Sequence, residues 1–387
     1  MKAKFIALAL ATLSTTAMAD VTLYGIMKAG VETGQVKVIR HNNAGVRTEN
    51  RKHTLTGIAD FGSRIGFKGH ENLSNGMNAI WKVESKTTLD GKSAGWGTRQ
   101  AYIGLETTAG TIRAGKMSTQ LDEMGKTDQW EYSNNALGLG MFTRTGEKIL
   151  SVRYDSPIFA GFSFNAQFSP RDNATTAVRG IGGPNKGYTT GRDDDAGDTS
   201  SYYAGLNYEN AGFFAQYGFG YKKTAYVANT IAGRKSKSGQ VHRIEAGYDA
   251  NNLMVSGGYQ YTDGWDSKNS YLARLASDDS YKAEADHSAG LKTHELAVSG
   301  AYRIGNVTPK VTYAHGFKAE AKRGRGLNGS RKLASSEYNQ VIVGADYDFS
   351  KRTTAFAQAG WLRAGKSGRH QDRTETTAGL VGLRHKF

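Results

Sequence analysis

The chain has no cysteine, which excludes a disulfide scaffold and any thiolate metal centre. Proline is nearly absent, with only 4 in 387 residues. Long apolar runs are missing as well. Outside the N-terminus no stretch reaches the roughly 18 residues that a membrane-spanning helix needs, and the mean hydropathy is −0.53, so a helical membrane protein is excluded. Glycine and tyrosine are plentiful, at 49 and 20 residues, and both suit strands, turns and aromatic girdles. Aromatic residues make up 10% of the chain, too many for a glycine-rich disordered protein.

Basic residues outnumber acidic ones, 50 to 35, which raises the question of nucleic acid. The charges are interleaved along the whole chain without a dense basic stripe, so no nucleic-acid partner is expected. Residues 1–19 read as a signal peptide, with Lys2 and Lys4 followed by the short apolar stretch Phe5 to Leu13 and the small-residue site Ala17-Met18-Ala19. Cleavage between Ala19 and Asp20 is expected, leaving residues 20–387 as one domain. Loss of the two lysines lowers the net charge from +15 to +13.

The rest of the sequence alternates with period two, the signature of strands. Val21, Leu23 and Met27 share one face, with Thr22, Tyr24 and Lys28 on the other. The same alternation recurs at Phe162–Phe168, Leu296–Ile304, Val341–Phe349 and Val381–Phe387. Short turns are expected at 70–77, 107–111, 156–161, 209–212, 249–252, 305–309 and 349–353. Long polar connections fall at about 33–54, 87–97, 116–148, 170–200, 222–240, 262–292, 318–337 and 364–374. Short and long connections take turns, which is the rhythm of a transmembrane barrel with an even strand count. The count is sixteen. In hydrocarbon every backbone group must be paired, so a sheet can cross only when closed on itself. The expected fold is therefore all-β: a 16-stranded antiparallel transmembrane barrel with short periplasmic turns, long extracellular loops and a wet lumen.

At the residue level the chain resembles the trimeric general porins of Gram-negative outer membranes, of the neisserial type. The matching segments are Asp20-Val-Thr-Leu-Tyr-Gly25, Gly62-Ser-Arg-Ile-Gly-Phe-Lys-Gly69, Gly97-Thr-Arg-Gln-Ala-Tyr-Ile-Gly-Leu105 and Ser151-Val-Arg-Tyr-Asp-Ser-Pro157. They continue with Tyr313-Ala-His-Gly-Phe317, Tyr347-Asp-Phe-Ser-Lys-Arg-Thr353 and Val381-Gly-Leu-Arg-His-Lys-Phe387. The resemblance implies an outer-membrane channel for passive diffusion of ions and small hydrophilic solutes, assembled as a homotrimer. It implies outer-membrane lipid and lipopolysaccharide as surroundings, and a terminal Phe387 that the barrel-assembly machinery reads. It also implies that the third long loop, about 116–148, folds inward and sets Asp122, Glu123, Asp128 and Glu131 against a basic wall containing Arg64 and Arg99, with Arg144 where the loop returns.

Alternation independently turns Lys28 inward, and Arg64 and Lys68 too, because Ile65 and Phe67 must face lipid. Lys82, Glu84 and Lys86 follow if Trp81 and Val83 face out. A Lys or Arg on the lipid face at midplane costs about 2–4 kcal/mol. With the positive net charge, a mild anion preference is expected. The alternative is a surface adhesin or immune-facing barrel with secondary pore activity.

Enzymatic readings lack support. Gly360-Trp-Leu-Arg-Ala-Gly-Lys-Ser367 fits the P-loop spacing, yet it reads as a strand running into a polar loop without the following helix that a phosphate cradle needs. The nine histidines show no zinc-ligand spacing, and Asp193-Asp194-Asp195 reads as a solvated run. No cofactor, metal or catalytic residue is expected.

Overall fold

The computed structural model describes residues 20–41, 46–89, 95–132, 136–171, 198–230, 233–276, 290–322, 330–333, 335–365 and 373–387. The expected signal peptide and Asp193–Asp195 lie outside these residues.

Period-two segments become strands, and nearly all of them meander antiparallel. The first is β1 (Asp20–His41), facing three pieces of one wall strand: β2 (Arg47–Arg51), β3 (Leu55–Asp60) and β4 (Arg64–Asn72). Next come β5 (Asn78–Lys86), β6 (Gln100–Thr107), β7 (Gly110–Ser118), the one-turn helix α1 (Gln120–Glu123), β8 (Lys148–Asp155), β9 (Phe162–Ser169) and β10 (Ser201–Asn210). The second half holds β11 (Phe213–Thr230), β12 (Gly233–Ala250), β13 (Leu253–Asp263), the helix α2 (Lys268–Ala276), β14 (Leu291–Tyr302) and β15 (Val307–Gly316). A small hairpin of β16 (Glu320–Lys322) and β17 (Ser330–Lys332) precedes β18 (Tyr338–Asp348), β19 (Thr353–Ala364) and β20 (Arg373–Lys386). With β2–β4 counted once and the hairpin set aside, the wall has sixteen strands.

The wall closes where β20 pairs with β1, from Ile26↔Lys386 to Ile39↔Arg373. Beyond that ladder Gly25 and Phe387 exchange both backbone hydrogen bonds, at 3.0 and 3.1 Å. Phe387 lays its ring over Gly25: a Cβ there would stand 2.3 Å from the ring. A side chain at position 25 would have to displace that ring.

The short turns fall at the expected places, except that Val307–Pro309, expected in a turn, already pair with β18. Two of the long connections turn out differently. Residues 33–54 and 222–240 are largely strand, because β1/β2 and β11/β12 continue pairing out to His41↔Arg47 and Thr230↔Gly233. These stems have outgrown the membrane, so neither face must be apolar, and a polar composition no longer marks a loop.

The two faces differ as hydrocarbon demands. Outward positions such as Ile103, Leu105, Ile112, Val152, Val298, Val311 and Val343 are bare aliphatic side chains. Aromatics collect at both ends. Phe162 packs against Tyr208 and Phe213 meets Tyr248 edge-on near the short turns, while Phe168–Tyr202 and Tyr261–His294 lie toward the long loops. These are interfacial girdles. No described helix is long and apolar enough to cross a membrane, so the strands are the spanning elements.

Inside, the barrel is only partly wet. Leu139, Met141 and Phe142 of the third loop pack with Tyr271 and Leu275 of α2 against inward Tyr338, Ile342 and Leu362. A dry wedge thus fills one side of a lumen that alternation alone leaves open.

Candidate functional site

The third loop, 119–147, leaves β7 at Ser118 and rejoins the wall at Lys148. Its course is set by hydrogen bonds from inward side chains of distant strands. Arg243 on β12 donates to the carbonyls of Leu121 and Met124. Lys310 on β15 donates to the Gln129 carbonyl at 3.0 Å, Gln340 on β18 to that of Gly138 at 2.8 Å, and Gln358 on β19 to that of Leu137 at 2.6 Å. Thr127 N–H donates to Glu245 at 3.0 Å, and Trp130 Nε1 to Thr312 at 3.0 Å. Loop backbone needs acceptors and donors when buried, and the inward polar positions of the wall supply them. At Gly360 a Cβ would lie 1.8 Å from the Ala136 carbonyl oxygen, so the loop also needs that glycine to come close.

The loop covers the far side of the lumen and leaves the arc from β20 through β1, β4 and β5 to the start of β6 facing the passage. Glu84 is the hub of this arc. Arg99 Nε lies 2.7 Å from one carboxylate oxygen, and Lys82 Nζ and Arg64 Nε lie 3.6 and 3.9 Å from the other. Tyr24 donates to that second oxygen at 2.9 Å. Lys82 and Lys68 stand over the Tyr24 ring at 5.5 and 5.9 Å. Beside this hub, Glu131 from the loop meets Lys28 Nζ at 3.3 Å and Arg384. Five cations (Lys28, Arg64, Lys82, Arg99 and Arg384) therefore face two carboxylates, Glu84 and Glu131. The surplus is three positive charges.

Other residues expected at the constriction are placed differently. Asp122 is held by Lys148 at 2.5 Å and Glu123 by Arg153 at 2.7 Å, both at the root of the loop on β8. They neutralise local cations and do not oppose Arg64 and Arg99, because α1 turns them toward the wall beside them. The Arg144 side chain is 0% exposed. It bonds Asp266 at 2.8 Å, Glu295 at 2.5 Å and Thr293 at 2.9 Å, and sits over Tyr271. It is a buried staple joining the third loop, the sixth loop and β14. An uncompensated guanidinium is excluded from an apolar wedge, so it takes the two acids within reach. Asp128 is also withdrawn: its Oδ1 is buried without a hydrogen-bond partner. Burial pushes its acid up to about 6, against backbone N–H groups of Leu139 and Trp130 that favour the anion. Lys86 lies on β5 in register with Arg64, with its side chain exposed.

Sequence reasoning missed Arg384 and Tyr24 as site residues. Both sit at inward positions of strands whose alternation was legible, so the signal was present. Arg153, Lys148 and Arg243 could be placed only through their loop partners.

A closed sixteen-strand wall, aliphatic outside and narrowed inside by a folded loop beside a cationic arc, defines a diffusion channel of the porin class. A family model for Gram-negative porins matches residues 32–387. The chain is 46% identical to major outer membrane protein P.IB of Neisseria sicca and 42% identical to that of Neisseria meningitidis serogroup B, each over the full length of both chains. Its fold matches the solved anion-selective porin from Comamonas acidovorans, with a TM-score of 0.63 and 17% identity over 95% of this chain and 100% of that one. The chain belongs to the Gram-negative porin family: it is an outer-membrane porin that forms a water-filled channel for ions and small hydrophilic solutes.

Proposed function

We propose that the channel prefers anions mildly and that its selectivity is set where the third loop faces Lys28, Arg64, Lys82, Arg99 and Arg384. The observation that carries this reading is the surplus of three cations around Glu84 and Glu131. Low-dielectric walls focus the field of such a cluster into the passage. Anions are drawn in, while water and polar solutes orient and apolar solutes must disrupt that order. The similarity to a solved porin named as anion-selective supports the direction.

Transport is passive, with no chemical step. The working unit is a homotrimer, delivered after cleavage between Ala19 and Asp20 and inserted by the barrel-assembly machinery among lipopolysaccharide and outer-membrane lipid. Reversal potentials of the purified protein in a planar bilayer under a KCl gradient test the selectivity. An anion-directed potential is expected, with conductance steps in threes, and R64E/R99E should move the potential toward cations. A cation preference in the unsubstituted protein would overturn the reading, and an unmoved potential in the variant would remove both arginines from the constriction.

A further inference from the structure

The two sides of the lumen differ in the size of their inward residues. On the arc that faces the passage, inward positions carry long side chains such as Lys28, Arg64, Lys82 and Arg384. Under the third loop, glycine and alanine recur. Gly205 stands on β10, Gly218 on β11, Gly258 on β13 and Gly360 on β19. Between them Ala297 and Ala314 are fully buried in the cluster that holds Leu139, Met141 and Phe142. The nearest atom over each of the four glycines belongs to the loop. A Cβ at Gly258 would lie 2.7 Å from Phe142 Cζ. One at Gly218 would lie 2.8 Å from Met124 Sδ and 2.9 Å from Leu121 Cδ2, and one at Gly205 would run into the Gln120 side chain. Gly66 on β4 differs, because Tyr24 of the wall itself covers it.

Seats and ties stand side by side. Gly218 is in register with Arg243, and Gly258 with Glu245. Arg243 donates to the carbonyls of Leu121 and Met124, and Glu245 accepts from Thr127 N–H at 3.0 Å. Glycine lets the loop come down to the wall, and its long neighbour then reaches the loop backbone. Phe142 has no slack in this arrangement. It is 1% exposed, and the Arg243 guanidinium lies over its ring at 5.8 Å. A methyl group at position 258 must push the ring back to ordinary carbon contact at about 3.7 Å, a displacement of about 1 Å. A close-packed interior transmits such a push. The wall is a continuous hydrogen-bonded sheet, so the loop is the part that yields, and it yields toward the passage.

We propose that Gly205, Gly218, Gly258 and Gly360 are positioning residues that set the width of the channel, by fixing how far the third loop recedes from the cationic arc. The arc decides which ions are favoured, and the far wall decides how much room they have. Glycine carries no side-chain charge, so the two determinants are separable. The inference goes beyond the proposed selectivity and does not depend on its sign.

Single-channel recording of the purified mature protein in planar bilayers tests this, with the reversal potential in a KCl gradient read on the same channels. G258A and G218A should each lower the conductance and leave the reversal potential in place. Uptake of neutral sugars into proteoliposomes should fall more for large sugars than for small ones. G258A/F142L, which removes the ring edge that the methyl group meets, should return the conductance toward the parent's. G257A is the control. Position 257 faces outward on the same strand, and a Cβ there meets only the Ala297 carbonyl oxygen, at 4.0 Å. It should leave both readings unchanged. Parental conductance in both G258A and G218A overturns the proposal. So does an equal loss in G257A, or a reversal potential that moves with the conductance. If G258A gives no heat-modifiable barrel, G218A and G258A/F142L decide. A cation preference in the parent would strike the proposed selectivity and leave this inference standing.

Discussion

Glu84 and Asp128 are both carboxyl groups inside the barrel, one set among cations and the other packed beneath the third loop. Glu84 is ringed by three cations and a tyrosine hydroxyl. Asp128 is packed under the third loop, where burial first and the nearby Glu245 charge second favour its neutral form, while Arg243 pulls the other way. Its acid is raised from 3.8 to about 6. A raised folded-state value means that its stabilising contribution is full below about 3.8 and is lost as pH climbs through about 6. Protease resistance of the third loop should therefore decline between pH 4 and 7, and Asp128→Asn, which keeps the neutral form, should flatten that decline. A decline of equal size in the variant would place its origin elsewhere.

The third loop and α2 form a single packed unit through Arg144, whose guanidinium bridges Asp266 and Glu295 beside Tyr271. Removing one member of such a buried set leaves charges uncompensated and typically costs about 3–5 kcal/mol. Arg144→Met should accordingly lower the thermal midpoint and raise open-channel current noise as the wedge loosens. Adding Glu295→Gln, which removes one orphaned charge, should recover part of the midpoint. Noise and midpoint equal to the parent's would show that the staple is dispensable. Gly360 acts in the same unit, since a side chain there would collide with the Ala136 carbonyl.

The barrel closes along the β1–β20 ladder, and Phe387 extends that seam by one more pair. Phe387 supplies two backbone bonds to Gly25 and a ring that covers it, extending a ladder that already runs from Ile26 to Ile39. An open seam exposes unpaired backbone to hydrocarbon, which a membrane sheet cannot tolerate. Deleting Phe387 should reduce the heat-modifiable barrel recovered from outer membranes, and undiminished recovery would deny it an assembly role.

Alternation is a covalent property of extended chain: successive side chains point to opposite faces. That is why the wall, its turns and the inward direction of Arg64, Lys82 and Glu84 could be read from residue order. Which charges stay free in the passage is a different kind of fact. Arg384 meets Glu131 from 253 residues away, and Arg144 meets Glu295 from 151 away. No local pattern carries such distances. Only the path of the third loop across the lumen paired Asp122 and Glu123 with β8, buried Arg144 and Asp128, and left the cationic arc facing water.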